Sequence, residues 1–297
     1  MRWKSYQVMN TLEETIERLA ERPGRARLVA GGTDLIAEME EKVAEKEPLT
    51  LLDISRIEEI RGIKESGPFL VIGSATTISE LAASSLIQVK ARALARGAGW
   101  LGSPQIRNVA TIGGNVVNGR PAGDTTLPLI ALEAEARILS QEGERYEPVE
   151  SLFMGVGKTA IDPFREILTH FRVPPCERPR RASAMERLAK RRVFTLPTLS
   201  VSVCLELNER EDCFQSVRIV AAPVGPVPWR ARKAEASLTG ANLSTESIHR
   251  AAALAREEAN PRSSLRGGSA YRKDMVEVLT KRALIDALSQ LNKVLYG

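Results

Sequence analysis

Two short glycine pairs limit what this chain can fold into more than any other feature of its sequence. Each pair stands where an apolar segment gives way to a polar turn: Ala30-Gly31-Gly32-Thr33-Asp34 follows residues 27–29, and Thr111-Ile112-Gly113-Gly114-Asn115 follows residues 106–110. Because glycine has no Cβ, the backbone N–H groups of such a loop can turn inward together and form a concave site for an anion. Gly-Gly turns are also common as purely structural connections, so either loop alone leaves that alternative open.

The two loops do not match the best-known nucleotide-binding motifs. Neither contains the lysine of a Walker loop, and neither has the Gly-x-Gly-x-x-Gly spacing of a Rossmann turn. Two separate anion nests without a lysine favour a diphosphate that is bound permanently over one that is hydrolysed.

Composition is typical of a soluble globular protein. The chain has 297 residues, of which 43% are hydrophobic and 27% are charged, enough for two domains with a substantial core. No apolar run approaches eighteen residues and the first residues lack the apolar core of a signal peptide, so we expect no membrane span and a cytoplasmic location.

The net charge of +5 comes largely from residues 178–192. Only 4% of the residues are aromatic, and no nucleic-acid-binding signature accompanies the basic stretch. We therefore expect a solvated or partner-facing basic surface and no nucleic-acid partner.

The cysteines and histidines give no sign of a metal site. Cys176, Cys204 and Cys213 have no Cys-x-x-Cys spacing and are too few for an iron–sulfur cluster, which needs four thiolates, so they are expected to be small buried hydrophobic residues. His170 and His249 lie far apart without companions at metal-ligand spacing, and they are expected to be structural.

Local patterns predict mixed helix and sheet. Thr11 to Glu14 and Thr77 to Glu80 are typical of capping boxes; the apolar spacing predicts single helices over 87–98 and 126–134 and a half-buried strand over 199–207. Composition changes at residues 174–179, where prolines precede basic residues, which indicates a linker. Beyond it, strands followed by helices predict a small α+β domain whose sheet is covered by helices.

Several segments together resemble a known family. The residues at 28–35, 106–115, 121–124, 153–159, 166–168 and 266–272 are similar to the flavin subunit of the xanthine dehydrogenase family of molybdenum hydroxylases. That family includes carbon monoxide dehydrogenase, nicotinate dehydrogenase and 4-hydroxybenzoyl-CoA reductase. The similarity extends over nearly the whole chain.

The resemblance implies an α+β fold: a two-part FAD-binding domain of the PCMH or vanillyl-alcohol-oxidase-like type, followed by a small C-terminal α+β domain of the carbon monoxide dehydrogenase flavoprotein type. The domains would span 1–175, with parts of about 1–55 and 56–175, and 180–297. It implies non-covalent FAD on this chain. The molybdenum cofactor and 2Fe–2S clusters would lie on a large and a small partner subunit of a heterotrimer. Electrons would pass from the clusters to FAD and then to NAD or another acceptor.

The same resemblance assigns cofactor-binding residues. The first loop would hold the diphosphate, with Asp34 capping the following helix. Asn115 would meet a flavin or ribityl edge, and Asp124 would accept hydrogen bonds from ribose or ribityl hydroxyls unless it is instead a helix N-cap. The full set is Leu28, Val29, Ala30, Gly31, Gly32, Thr33, Asp34, Leu35, Leu101, Thr111, Ile112, Gly113, Gly114, Asn115, Asp124, Leu168 and Arg187, where Arg187 stands at a position that is often lysine in the family.

Two other function classes remain open at this point. A self-sufficient flavin oxidoreductase on the same fold would need its own acid–base residues, and a basic binding protein without flavin would be expected to have disrupted glycine loops. No Ser-His-Asp or Cys-His set is apparent, so the sequence names no catalytic residue. It also names no substrate, since that choice would be made on another subunit.

Overall fold

The computed structural model describes residues 3–21, 23–41, 49–177, 179–191 and 195–293. Its first part is a three-stranded parallel sheet in the order β1–β3–β2. The elements of this part are β1 (Trp3–Val8), α1 (Leu12–Glu21), β2 (Ala26–Val29), α2 (Leu35–Glu41) and β3 (Leu49–Asp53). Helix α1 begins where the Glu14 N–H donates to Thr11 Oγ1 at 3.2 Å. The described residues show no bond back from the Glu14 carboxylate, so half of the predicted capping box forms.

The second part is built on a five-stranded antiparallel sheet in the order β4–β5–β10–β6–β7. Its strands are β4 (Ile63–Ser66), β5 (Phe69–Gly73), β6 (Glu135–Ser140), β7 (Gly143–Pro148) and β10 (Ile167–Val173), with a small hairpin of β8 (Phe153–Gly155) and β9 (Lys158–Thr159). Its helices are α3 (Ile78–Ala83), α4 (Ser85–Lys90), α5 (Arg92–Trp100), α6 (Pro104–Val109), α7 (Ile112–Val117) and α8 (Thr126–Ala131). The predicted capping box of Thr77 and Glu80 is complete at the start of α3.

Two helices of this part are shorter than their apolar spacing predicts. The segment 87–98 is divided between α4 and α5 because Ala91, which is fully buried, has non-helical backbone angles. Helix α8 ends at Ala131, and Glu133 then adopts a positive φ of 62° that turns the chain into β6.

The C-terminal part is an antiparallel sheet with its strands in chain order and helices packed on one face. Its elements are β11 (Arg181–Leu188), β12 (Leu199–Leu207), β13 (Phe214–Ala222), β14 (Trp229–Arg230), α9 (Arg232–Leu238), α10 (Thr245–Glu258) and α11 (Ser269–Gln290).

The prediction of a half-buried strand over 199–207 is wrong. Helix α11 covers one face of β12, and α8 of the preceding part covers the other. The polar positions Ser200 and Ser202 are therefore as buried as their neighbours Val201 and Val203. The alternation of polar and apolar residues here separates two buried faces, not an interior face from a solvated one.

The basic stretch is not a solvated surface along its whole length. Arg181 and Arg187 lie on β11, with side chains 18% and 5% exposed, and both reach acidic residues of the second part. Further ion pairs join the same two parts: Glu150 lies 3.0 Å from Arg230 and 2.7 Å from Arg232. The C-terminal sheet is thus packed and charge-paired onto the part that precedes it.

Among the described residues, no helix is both long and apolar enough to cross a bilayer. The same residues contain no group of three or more histidine, cysteine or acidic side chains able to hold a metal ion.

Candidate functional site

A cleft of about 570 Å³ lies where both glycine loops meet. Nearly all of the predicted site residues line it: Leu28, Val29, Ala30, Gly31, Gly32, Thr33, Asp34, Leu35, Leu101, Thr111, Gly113, Gly114, Asn115, Asp124 and Leu168. Ile112 and Arg187 do not. The predicted set is therefore brought together by the fold, although its members come from distant parts of the chain.

The first loop has the geometry of an anion nest. Gly32 has a φ of +67°, which turns the chain from β2 into α2, and the Ile36 N–H closes the first helical turn onto the Gly32 carbonyl at 3.0 Å. Within the described residues, the N–H groups of residues 31–35 have no backbone acceptor. These five residues line the cleft at the N-terminus of α2, a position that favours negative charge.

Asp34 does not cap α2 in the expected way. Its side chain is exposed, and its carbonyl, not its carboxylate, accepts the Glu38 N–H at 2.9 Å. No donor to the carboxylate is found in the described part of the chain. The Asp34 carboxylate therefore does not occupy the N–H groups of the loop.

The two loops touch each other through Gly31. A Cβ on this residue would lie 2.1 Å from the Val109 carbonyl oxygen and 2.8 Å from the Ala110 Cα. Those atoms belong to the backbone that leads into the second loop. Glycine is required here by close approach of two backbone segments, which fixes the distance between the cleft walls.

The second loop is not a second anion nest, which corrects that prediction. The N–H groups of Ile112 and Gly113 donate to the carbonyls of Thr76 and Ser74, at 3.0 and 2.8 Å. The next N–H, of Gly114, donates to Thr111 Oγ1 at 3.1 Å. The loop therefore anchors the start of α7 against the end of β5, and the Ile112 side chain lies in the hydrophobic core behind the cleft.

Asn115 is held with a defined orientation. The buried Thr125 hydroxyl donates to the Asn115 side-chain carbonyl at 2.7 Å. That bond leaves the amide NH₂ group as the end free to donate into the cleft.

Asp124 is a buried carboxylate with an unsatisfied oxygen. It is 8% exposed, and its Oδ1 has no hydrogen-bond partner, although Arg187 Nε lies 3.8 Å away. Burial raises the pKa of Asp124 to about 6, and the positive charge of Arg187 partly opposes that shift. The alternative role as a helix cap is not found, because Thr125 occupies the N-cap position of α8.

Arg187 does not line the cleft, but it binds two of the segments that do. Its guanidinium donates to the Trp100 carbonyl at 2.8 Å and to the Thr195 carbonyl. Trp100 directly precedes Leu101, which lines the cleft. Thr195 lines the cleft together with Leu196. This residue thus joins the C-terminal sheet, Asp124 and two cleft segments.

Sequence reasoning missed a charged side of the cleft. Arg27, Glu38 and Arg120 line it, and Arg120 pairs with Glu38 at 3.1 Å. Arg27 directly precedes the matched segment at 28–35 and Arg120 directly precedes the one at 121–124, so extending each segment by one residue would have found both. Glu166, which is paired with Arg145, also lines the cleft.

Comparisons with known proteins agree over both parts of the chain. Residues 2–176 match the family model described as the FAD binding domain in molybdopterin dehydrogenase, and residues 185–287 match the CO dehydrogenase flavoprotein C-terminal domain. The chain belongs to this family. It is 31% identical to the xanthine dehydrogenase FAD-binding subunit of Escherichia coli O157:H7, over 96% of each chain.

Carbon monoxide dehydrogenases are similar in both sequence and structure. The medium chain of the Hydrogenophaga pseudoflava enzyme is 31% identical over 94% of this chain and 95% of its own length. A solved structure of carbon monoxide dehydrogenase from that organism, lacking the Mo-pyranopterin moiety, superposes with a TM-score of 0.89, covering 97% of this chain and 98% of that one. The α+β fold with a two-part FAD-binding domain and a C-terminal flavoprotein domain is thereby confirmed.

The cleft residues fit FAD. The first loop offers N–H donors that have no backbone acceptor, of the kind that a diphosphate requires. The unsatisfied Asp124 Oδ1 is an acceptor for a hydroxyl group, and the Asn115 amide is a donor. The apolar side chains of Leu101 and Leu168 supply a surface for a flat ring system.

Proposed function

We propose that this FAD-binding medium subunit of a xanthine or carbon monoxide dehydrogenase-type enzyme works as an electron relay. It would take electrons from iron–sulfur clusters on a small partner subunit and pass them to NAD or another acceptor, while a large subunit carries the molybdenum cofactor. Substrate oxidation would take place on that large subunit.

The observation that carries the proposal is that the cleft offers a cradle for a cofactor and few groups for acid–base chemistry. The N–H donors of residues 31–35 and the apolar side chains of Leu101 and Leu168 line it. Two of its carboxylates, Glu38 and Glu166, are paired with arginines and are poorly suited to abstract a proton. Asp124, which has a pKa of about 6, is assigned to a hydrogen bond with the cofactor. FAD supplies the redox chemistry when it is bound, and this chain positions it.

We further propose a role for each part of the cleft. The N–H groups of residues 31–35 bind the diphosphate, and Asp124 accepts a hydrogen bond from a ribityl or ribose hydroxyl. Asn115 donates to the flavin or ribityl edge, and Leu101 and Leu168 pack against the ring. The domain boundary at residues 174–179 belongs to the same proposal, with the C-terminal sheet holding Arg187 beside Asp124.

The relay predicts that the isolated, FAD-loaded chain cannot oxidise an organic substrate. Under anaerobic conditions, purines, aldehydes and pyridines should leave the flavin absorption band unchanged, since no group of this chain performs the hydroxylation. Dithionite should bleach the band and thereby prove that the bound FAD is reducible. Bleaching by an organic substrate without partner subunits would instead support the self-sufficient flavin oxidoreductase.

A second prediction follows from the raised pKa of Asp124. FAD binding through a carboxylate acceptor should strengthen as the pH rises from about 5 to about 7, because the group ionises with a pKa of about 6. A hydrogen bond to a charged acceptor contributes about 1.5–3 kcal/mol, and the ionised fraction of Asp124 rises about tenfold over this range, so the dissociation constant should fall by up to about tenfold. Fluorescence titration of the FAD-depleted protein measures it.

The matched control is Asp124→Asn, which keeps the shape and removes the titration. Its FAD affinity should be weak and nearly independent of pH in this range. The FAD-depleted wild type should also become less stable as the pH rises from about 4 to about 6. In this range the unfolded chain has released a proton that Asp124 still holds in the folded protein. A wild-type affinity profile parallel to that of the variant would contradict the assigned role.

A further inference from the structure

Two of the three cysteines meet at the junction between the FAD-binding part and the C-terminal sheet. Cys176 lies after β10, with its N–H held by the Lys90 carbonyl at 2.7 Å, and Cys204 lies on β12. Both are buried in the same hydrophobic cluster, and their thiols lie close enough to influence each other's ionisation. Their separation in the sequence gives no sign of this contact.

An arginine completes the group. Arg181 Nε donates to Cys204 Sγ at 3.5 Å, and the same guanidinium reaches Glu133 at 3.6 Å. Arg181 and Ser183 stand on the same face of β11, and Ser183 is the direct cross-strand partner of Cys204. The sulfur is therefore aligned with a fixed positive charge on a rigid strand.

The environment divides the two thiols into different chemical states. The neighbouring Cys176 thiol lowers the pKa of Cys204, and the Arg181 guanidinium lowers it further. The neighbouring Cys204 sulfur and burial raise the pKa of Cys176 well above its ordinary value. The Arg181 charge beside Cys204 thus favours the thiolate form of that sulfur, while Cys176 favours its protonated form, which is the division that an attacking and a resolving cysteine need.

We propose that Cys204 and Cys176 form a peroxide-reactive pair that closes to a disulfide between β12 and the end of the FAD-binding part. The Cys204 thiolate attacks one oxygen of hydrogen peroxide, the O–O bond breaks, and the released hydroxide takes a proton to leave as water. The Cys176 sulfur then attacks the Cys204 sulfenic acid and forms the S–S bond. Its thiol proton leaves with the hydroxyl group as a second water. The two thiols are oxidised by two electrons and the peroxide is reduced by two.

The three cysteines fall in three different tryptic peptides, which makes the test direct. Cys176 lies in residues 173–180, Cys204 in 193–210 and Cys213 in 211–218, since trypsin does not cut before Pro179. The folded protein is treated with hydrogen peroxide, alkylated, digested without reductant and analysed by mass spectrometry. We expect a linked pair of the first two peptides that dithiothreitol separates.

Cys213 is the internal control. Its sulfur donates to the Asn242 side-chain carbonyl at 3.1 Å, and burial and the neighbouring Asp212 raise its pKa. Cys213→Ser should leave the linked pair unchanged. In Cys176→Ser, dimedone should label the peptide 193–210, because the sulfenic acid has lost its resolving partner, whereas Cys204→Ser should give no dimedone adduct at 173–180.

Arg181→Gln should slow the oxidation of Cys204 at least several-fold, and Arg181→Lys should restore part of the rate. If a variant fails to fold, the linked peptides from the wild-type protein still test the proposal, because that experiment needs no substitution. The proposal is overturned if peroxide leaves the 193–210 thiol as open to alkylation as before. First oxidation at 211–218 would overturn it as well. These outcomes are independent of whether the chain relays electrons.

Discussion

Gly31→Ala is expected to leave the chain nearly free of FAD. The added Cβ would lie 2.1 Å from the Val109 carbonyl oxygen, and neither a Cβ, which is fixed by its own backbone, nor a backbone oxygen can rotate away. The two cleft walls must separate, and overpacking of this kind costs about 1–3 kcal/mol. Because the displaced loop carries the N–H donors of the nest, FAD affinity should fall at least about tenfold. The absorbance ratio of flavin to protein measures the occupancy.

Gly99→Ala is the matched control, since its Cβ would meet no atom within 4 Å and helix α5 favours alanine. It should retain full FAD and an unchanged circular dichroism spectrum.

Gly113→Val, in contrast, should impair folding as a whole, because its Cβ would lie 2.7 Å from that of Ser74 in the packed start of α7. Full flavin content in Gly31→Ala would disprove the contact between the loops as a determinant of binding.

The first loop could be predicted because its signal is local. A strand, a glycine with positive φ and a helix start follow one another within ten residues, so the sequence alone contains the geometry of the nest. The second loop looked similar but has a different role. The N–H groups of Ile112 and Gly113 are satisfied by Thr76 and Ser74, which are more than thirty residues away in the chain, and no local pattern indicates which acceptors a tertiary fold will bring there.

The same limit explains the other differences. Strand β12 alternates polar and apolar residues, yet α8 covers its polar face, so its exposure was set by another part of the chain. The contact between Cys176 and Cys204 and the position of Arg187 beside Asp124 are equally non-local. The break between helices α4 and α5 was missed for a different reason. Ala91 is an excellent helix former, and tertiary packing overrides that preference.

Arg187→Met is expected to destabilise the protein and to weaken FAD binding together. The substitution keeps much of the apolar stem but removes the donors to the Trp100 and Thr195 carbonyls. It also leaves the buried Asp124 carboxylate without its neighbouring positive charge. Removing one partner of a buried ion pair costs about 3–5 kcal/mol, because the remaining charge stays out of contact with water. Thermal unfolding and flavin content of the purified protein measure the two effects.

A double-mutant cycle with Asp124→Asn separates the charge from the packing. If the cost arises from a stranded carboxylate, Arg187→Met with Asp124→Asn should be more stable than Arg187→Met alone, because the amide can be buried without an ionic partner. The part of the loss that the second substitution does not recover then belongs to the two carbonyl bonds. Additive effects would show that Asp124 and Arg187 act independently. Coupling of about 1 kcal/mol or more would show that the C-terminal sheet controls the charge of a cleft residue, and hence that the two parts of the chain form one FAD site.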